Sequence, residues 1–166
     1  MNEEKAIANV VRDFITHIEH CTVYVFDNNS TDNTIKEAKS AGALTRVVKT
    51  KGKGHVVQAM FRDVDADIYI LADGDGTYPA VEAKEMLNLF TTHEADLVIG
   101  TRLGTYESSQ SRKKHFLGNI LLTQTVNKLF DAEVYDLLSG YRVMSRRYVK
   151  TMPLFSRGFE VETAMT

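Results

Sequence analysis

Tryptophan is absent from the 166 residues, cysteine occurs once, proline twice and glycine ten times. The lone Cys21 excludes an internal disulfide and any zinc site built on several thiolates. It reads as a small core residue in a reducing compartment. So few prolines and glycines leave no linker, and the length describes one domain, residues 1–166, with room for a real core. No apolar run reaches the length of a membrane span, and the charged N-terminus has no secretory character. A net charge of -2 gives nucleic acid and bulk anionic membrane no reason to bind. The expected location is cytoplasmic.

What is present centres on Asp67 to Pro79, D-I-Y-I-L-A-D-G-D-G-T-Y-P. Ile68, Tyr69, Ile70, Leu71 and Ala72 make a short run of strand formers, as in a strand buried on both faces. Asp73 and Asp75 follow at alternate positions, so an extended backbone aims both carboxylates at one hard cation. A solvated turn is the plain alternative for such Asp and Gly residues. Pro79 suits the start of the next helix.

Upstream, Ala6, Ile7, Val10, Val11, Phe14 and Ile18 recur at helical spacing and predict a helix over residues 2–20. Asn2, Glu3 and Glu4 would place acceptors and negative charge in its first turn. Thr22–Phe26 reads as a strand, followed by a polar cluster at 27–33 that caps a helix running to Ala41. Gly42 stops that helix, and Leu44–Thr50 reads as a third element, a strand. Lys51-Gly-Lys-Gly-His leads into a helix carrying Val56, Val57, Met60 and Val64. A further helix runs from Pro79 to about His93 on Val81, Met86, Leu89 and Phe90, before the strand Asp96–Gly100. This alternation predicts crossover units and an α/β fold with a mostly parallel central sheet.

Beyond Arg102 the texture changes. Residues 104–114 are polar and loop-like, 116–130 read as a helix, 135–144 as a turn then a strand, and 148–152 as a short helix. The last element starts near Gly158 without a stop signal before Thr166, so the sequence reads as cut off at both ends.

Three predicted strands finish in polar groups: Asp27 with Asn28, Asp73 with Asp75, and Thr101 with Arg102. In a parallel sheet these ends gather on one rim, where open α/β sheets bind ligands. Carboxylates, amides and a basic residue there suit a nucleotide whose phosphates are bridged by Mg2+ or Mn2+. The ion would neutralise a diphosphate leaving group. Lys51-Gly-Lys-Gly-His lacks the spacing of a phosphate loop and reads as a basic loop near a diphosphate or as a solvated turn. None of the five histidines pairs at ligand spacing, and Ser108, Ser109 and Ser111 lack a nucleophile-elbow context.

The motifs V-Y-V-F-D-N-N-S-T-D-N-T, G-K-G-H-V-V-Q-A-M, D-A-D-I-Y-I-L-A-D-G-D-G-T-Y-P, D-L-V-I-G-T-R, D-L-L-S-G-Y-R-V-M-S-R-R and G-F-E-V-E-T follow one another along nearly the whole chain. Together they resemble family 2 glycosyltransferases, in particular the dolichol-phosphate-mannose-synthase-like branch. The resemblance implies a three-layer, Rossmann-like GT-A fold and transfer of a sugar with inversion from a nucleotide sugar, such as a UDP-sugar or GDP-mannose. It assigns Asp27 to the base, with Asn28 beside it, and Asp73 and Asp75 to the metal and diphosphate. Asp75 is then the stronger metal ligand and Asp73 the nearer to the nucleotide. Lys53 falls beside the nucleotide, and Arg102 faces phosphate. Asp136, Ser139 and Arg142 line the acceptor side, so that Asp75, Asp136 and Arg142 are the residues carried over to catalysis.

A polyisoprenyl-phosphate or glycan acceptor follows from the same branch, with Arg142, Arg112, Lys113 and Lys114 holding its phosphate at a membrane surface. Membrane contact would be peripheral, in cell-envelope synthesis, and a homo-oligomer is compatible with the pattern. Two departures stand out. The first strand of the fold and most of its Pro-x-Tyr-Asn-Glu-Glu turn are missing, leaving Asn2-Glu3-Glu4, and Thr77 stands where a further metal contact is common. Two other readings exist. Strand-Asp-x-Asp-Gly-Thr also resembles haloacid-dehalogenase-type phosphatases, with Asp73 as nucleophile. A folded but inactive glycosyltransferase fragment is the other.

Overall fold

The computed structural model describes residues 1–101, 123–128 and 135–166. Among the described residues, five strands and a set of helices alternate in the expected order. β1 (Tyr24–Asp27) pairs in parallel with β2 (Leu44–Val47), Tyr24 opposite Leu44 and Asp27 opposite Val47. Between them runs α2 (Thr34–Ser40), the crossover that parallel pairing requires. β3 (Ile68–Leu71) and β4 (Leu97–Ile99) are joined by α4 (Ala80–Thr92), preceded by α3 (Lys53–Asp63). They do not pair with each other. β5 (Arg142–Ser145) lies between them, antiparallel to both. β3 and β4 therefore run the same way, as the alternation predicts, with an inserted strand of opposite sense.

β5 explains the layering. Successive side chains of a strand face opposite ways. Val143 packs with Phe14, Tyr78, Ala83, Met86, Phe90 and Tyr141 in one core. Met144 packs with Val57, Phe61, Val149, Val161 and Met165 in another. The sheet is thus covered on one face by α1 (Ile7–His17) and α4, and on the other by α3 and the short helices Arg146–Thr151 and Val161–Ala164. Ser145 caps the first of these, its hydroxyl accepting from the Tyr148 N–H at 2.9 Å. Residues 123–128 are helical, within the predicted 116–130 helix. Cys21 sits half-buried against the first core, and burial raises its thiol pKa.

The N-terminus departs from expectation. α1 begins only at Ile7, and Asn2 to Glu4 are drawn to the loop after β1 instead of capping it. The backbone N–H groups of Asn2, Glu3 and Glu4 donate to Ser30 Oγ, Thr34 Oγ1 and Asp32 Oδ2. In return Asn2 Oδ1 and Glu4 Oε2 accept from the N–H groups of Thr31 and Asn33 at 2.9 and 3.0 Å. Asn33 is the N-cap of α2 and Thr31 lies in the loop before it, so these acceptors tie down the approach to a different helix.

Candidate functional site

β1 ends in Asp27, whose side chain is buried and accepts from the Ser30 N–H at 2.9 Å and from the Ser30 hydroxyl. Asn28 follows. Its Nδ2 donates to the carbonyls of Val48 and Thr50, both at 2.8 Å, and its Oδ1 accepts from the Gly52 N–H at 2.9 Å. One amide thereby fastens the end of β1 to the loop after β2 and to the start of α3.

The glycines of Lys51-Gly-Lys-Gly-His are there for close packing. A Cβ on Gly52, which has φ +125°, would lie 2.2 Å from the Arg157 carbonyl oxygen. One on Gly54 would lie 2.2 Å from that of Ser156. The 154–157 backbone docks on this turn, and Gln58 Nε2 donates to the Leu154 and Ser156 carbonyls. Lys53 is therefore held as the first residue of α3 and directed at the sheet rim.

There its Nζ donates to Asp73 Oδ1 at 2.8 Å and to Glu162 Oε1 at 2.6 Å. Burial works against the Lys53 charge, but Asp73 and Glu162 outweigh it and hold the ammonium above its ordinary pKa. The chain Asn28, Gly52, Lys53, Asp73 also places the carboxyl ends of β1 and β3 on one rim. Asp27 and the Asp73–Asp75 turn therefore share the edge that the sequence pattern predicts. Asp75 is exposed, and its Oδ1 accepts from the Thr77 N–H at 2.9 Å, a turn that fixes its carboxylate two residues beyond Asp73.

Gly140 closes this cluster from below. A Cβ there would stand 3.1 Å from Asp73 Oδ2 and 3.2 Å from both Glu162 Oε1 and Lys53 Nζ. Its N–H donates to the Tyr78 hydroxyl at 3.0 Å, and the Tyr78 ring stacks on Tyr141 at 4.8 Å. Tyr141 in turn donates to the Pro79 carbonyl at 2.7 Å. Burial, reinforced by Glu82, raises the Tyr141 pKa and keeps it a donor.

Asp136, Ser139 and Arg142, assigned to the acceptor side, are all buried. The Arg142 guanidinium donates to the carbonyls of Ser139, Met165, Leu137 and Glu162, and to Thr166 Oγ1. Burial lowers its pKa, opposed by Tyr148, Glu162 and Asp136. Arg142 thus clamps the 162–166 segment from within the sheet and reaches the rim only through Glu162. Ser139 Oγ accepts from the Tyr141 N–H at 3.2 Å. Arg102, Arg112 and Lys113, with Lys114, lie outside the described residues.

Two site residues were missed from the sequence. Glu162 stands in the quoted G-F-E-V-E-T, where nothing distinguishes it from Glu160 until the chain folds. Tyr78 stands in the D-G-T-Y-P turn, where the sequence carries no sign of its bond to the Gly140 N–H.

Among the described residues no group of three or more His, Cys, Asp or Glu forms a cation cage. Asp73 and Asp75 offer two hard-oxygen side chains, and Asp73 already receives a positive group in the Lys53 ammonium. Those carboxylates are the kind of hard-oxygen donor that an oxygen-seeking divalent ion takes.

The family model for glycosyl transferase family 2 matches residues 1–152. Protein RfbJ of Shigella flexneri is 51% identical over 114 residues, covering 69% of this chain and 88% of that one. Glycosyltransferase AglJ of Haloferax volcanii is 34% identical over 165 residues, 99% of this chain and 54% of that protein. Among solved structures, glucosyl-3-phosphoglycerate synthase of Mycobacterium tuberculosis, in complex with Mn2+, UDP-glucose and glycerol 3-phosphate, superposes with a TM-score of 0.77 at 22% identity. That match covers 99% of this chain and 60% of the synthase, and it shows the α/β GT-A-like fold. The chain spans about half the length of AglJ and three fifths of the synthase.

Proposed function

Because the chain belongs to glycosyltransferase family 2, we propose that its rim transfers a sugar, with inversion, from a nucleotide sugar to a lipid-phosphate acceptor. The observation that carries this reading is the chain of contacts from the end of β1 to the turn after β3: Asn28 holds the Gly52 N–H, and Lys53 bridges Asp73 to Glu162. Asp27, buried and fixed by Ser30, is the acceptor for a base N–H. Asp73 and Asp75 are the residues that would hold Mg2+ or Mn2+. Bound there, the metal neutralises the charge that develops on the departing nucleoside diphosphate. Mn2+ and UDP-glucose in the synthase structure support a divalent ion and a uridine donor for this chain.

The acceptor oxygen attacks the anomeric carbon from the face opposite the diphosphate. A new C–O bond forms, the old one breaks, and its electron pair leaves on the diphosphate. A phosphate acceptor arrives ionised, so no proton has to be removed. Lys53, which the first turn of α3 places beside Asp73, would stand next to the diphosphate as a further positive charge. Arg142, Ser139 and Asp136 act as positioning residues, holding Gly140 and Glu162 against the donor. Arg102, Arg112 and Lys113 are assigned to phosphate from sequence alone, with peripheral membrane contact and a role in cell-envelope glycan assembly. Membership of glycosyltransferase family 2 favours transfer over the phosphatase reading of Asp73.

Calorimetry of the chain with UDP-glucose, other UDP-sugars and GDP-mannose, with and without Mn2+, tests the proposal. Metal-dependent heat with one base supports it. A folded chain that binds no nucleotide would leave only an inactive fragment.

A further inference from the structure

Lys53 meets three groups at the rim, and two of them come from residues 158–162. Glu162 Oε1 accepts from its ammonium at 2.6 Å, and the Phe159 ring centroid lies 6.0 Å away, inside cation–π range. Asp73 is the third, at 2.8 Å. The two carboxylates are not equivalent. The Asp73 side chain is 39% exposed and the Glu162 side chain 11%. Burial opposes the Lys53 charge, and of the two acids Asp73 gives the larger upward push on its pKa. Water screens that exposed partner more than it screens Glu162.

Glu162 is also firmly anchored. Its neighbour Val161 and, a turn further on, Met165 are fully buried in the second core. The Glu162 N–H donates to the Phe159 carbonyl, and the Glu162 carbonyl accepts from Arg142 at 2.6 Å. Glu160 Oε1 ties down the start of the turn, accepting from the Arg157 and Gly158 N–H groups at 2.9 Å. The Arg157 carbonyl in turn abuts Gly52, the residue before Lys53. Turn and lysine are therefore built against each other, although Lys53 and Glu162 stand 109 residues apart in sequence. A lysine ammonium rides on a flexible four-carbon stem, and ordering such a side chain costs up to about 2 kcal/mol. Glu162 meets that cost before any ligand arrives.

We propose that Glu162 is a positioning residue of the donor site, holding the Lys53 ammonium at the rim so that Lys53 presents a fixed positive charge to a nucleotide diphosphate. The consequence for binding rests on the donor reading above; the hold on Lys53 does not. Charge alone would make Glu162 a hindrance, since a carboxylate near a diphosphate repels it. Positioning predicts the opposite sign: removing Glu162 weakens nucleotide binding, and does so only through Lys53.

The test uses the full chain in two measurements. The Lys53 ammonium should give a nitrogen–proton NMR signal, assigned by its loss in Lys53→Met, because protons held in charge-assisted bonds exchange slowly. That signal should survive Asp73→Asn, vanish in Glu162→Ala and return in part in Glu162→Gln, which keeps an acceptor of the same size. Calorimetry with UDP and Mn2+ should show about a tenfold loss of affinity for Glu162→Ala in the parent and none in the Lys53→Met background. An ammonium signal that outlasts Glu162→Ala but not Asp73→Asn would overturn the proposal. So would a gain in UDP affinity, or an equal loss in both backgrounds, which marks a role of Glu162 that bypasses Lys53. A parent chain that binds no UDP would refute the donor reading, and the NMR signal would still decide whether Glu162 holds Lys53.

Discussion

Lys53 and Asp73 stand 20 residues apart in the chain and 2.8 Å apart in space. Their contact joins the first turn of α3 to the turn beyond β3. With Glu162 on the same ammonium, two carboxylates share one cation inside a half-closed site. Removing the cation strands both of them.

Lys53→Met should lower the stability of the chain at neutral pH by about 1–3 kcal/mol, since two partly buried carboxylates lose their common partner. The pH dependence has a definite sign. The folded-state pKa of Lys53 is raised, so its contribution is complete below the unfolded lysine value and fades as pH climbs through the folded one. Chemical denaturation carried from pH 9 up past pH 11, through the lysine range, should show this loss in the parent and not in the variant. The comparison has to be a difference, because Tyr141 and Tyr148 are also raised and weaken the fold in the same direction.

Asp75→Ala and Asp136→Ala should fail in different ways. Asp75 is exposed and makes one turn bond to Thr77, so its loss should leave melting almost unchanged and weaken Mn2+-dependent nucleotide binding more than tenfold. Asp136 is 1% exposed, and its loss should destabilise the chain by about 1–3 kcal/mol with no selective effect on the metal-dependent part. Paired calorimetry and thermal melts measure both. Equal metal-dependent losses would sink the division of donor and acceptor sides.

Much of this rim was legible in the sequence, because strand ends are announced by local chemistry. Asp27-Asn28 and Asp73-Gly-Asp75 close apolar runs, and alternation with helices sends such ends to one edge. The insertion of β5 was not legible. Arg142-Val-Met-Ser carries no mark of its direction, and a strand buried on both sides reads the same in either sense. Arg142 looked like a phosphate ligand because an arginine in a motif announces its charge and not its burial. Its five bonds come from Leu137, Ser139 and the 162–166 segment, partners that only the tertiary fold supplies. Asn2 and Glu4 likewise carry capping chemistry, but their acceptors go to N–H groups of the loop that leads into α2.

Arg142→Lys should therefore behave as a structural lesion. A lysine keeps the charge but lacks the planar fork that reaches carbonyls on two segments. An expected loss of about 3–5 kcal/mol follows from leaving a buried charge poorly paired. Limited proteolysis should then cut within 158–166 much faster than in the parent. An unchanged proteolysis pattern would return Arg142 to the list of direct phosphate ligands.

Gly54→Ala and Gly140→Ala separate packing from chemistry. At Gly54 the added methyl meets the Ser156 carbonyl oxygen at 2.2 Å, a backbone atom that has to move with its whole segment. That variant should lose several kcal/mol of stability and free the 154–157 stretch, in line with overpacking costs. At Gly140 the neighbours are ends of side chains at 3.1–3.2 Å, which can give by a few tenths of an ångström. Stability should fall by no more than about 1–2 kcal/mol, but the displaced groups are Asp73, Glu162 and Lys53. Nucleotide binding should accordingly drop more for Gly140→Ala than for Gly54→Ala once both are measured below their melting transitions. The reverse order would mean that the docked 154–157 segment, and not the ionic cluster beneath the rim, governs the donor site.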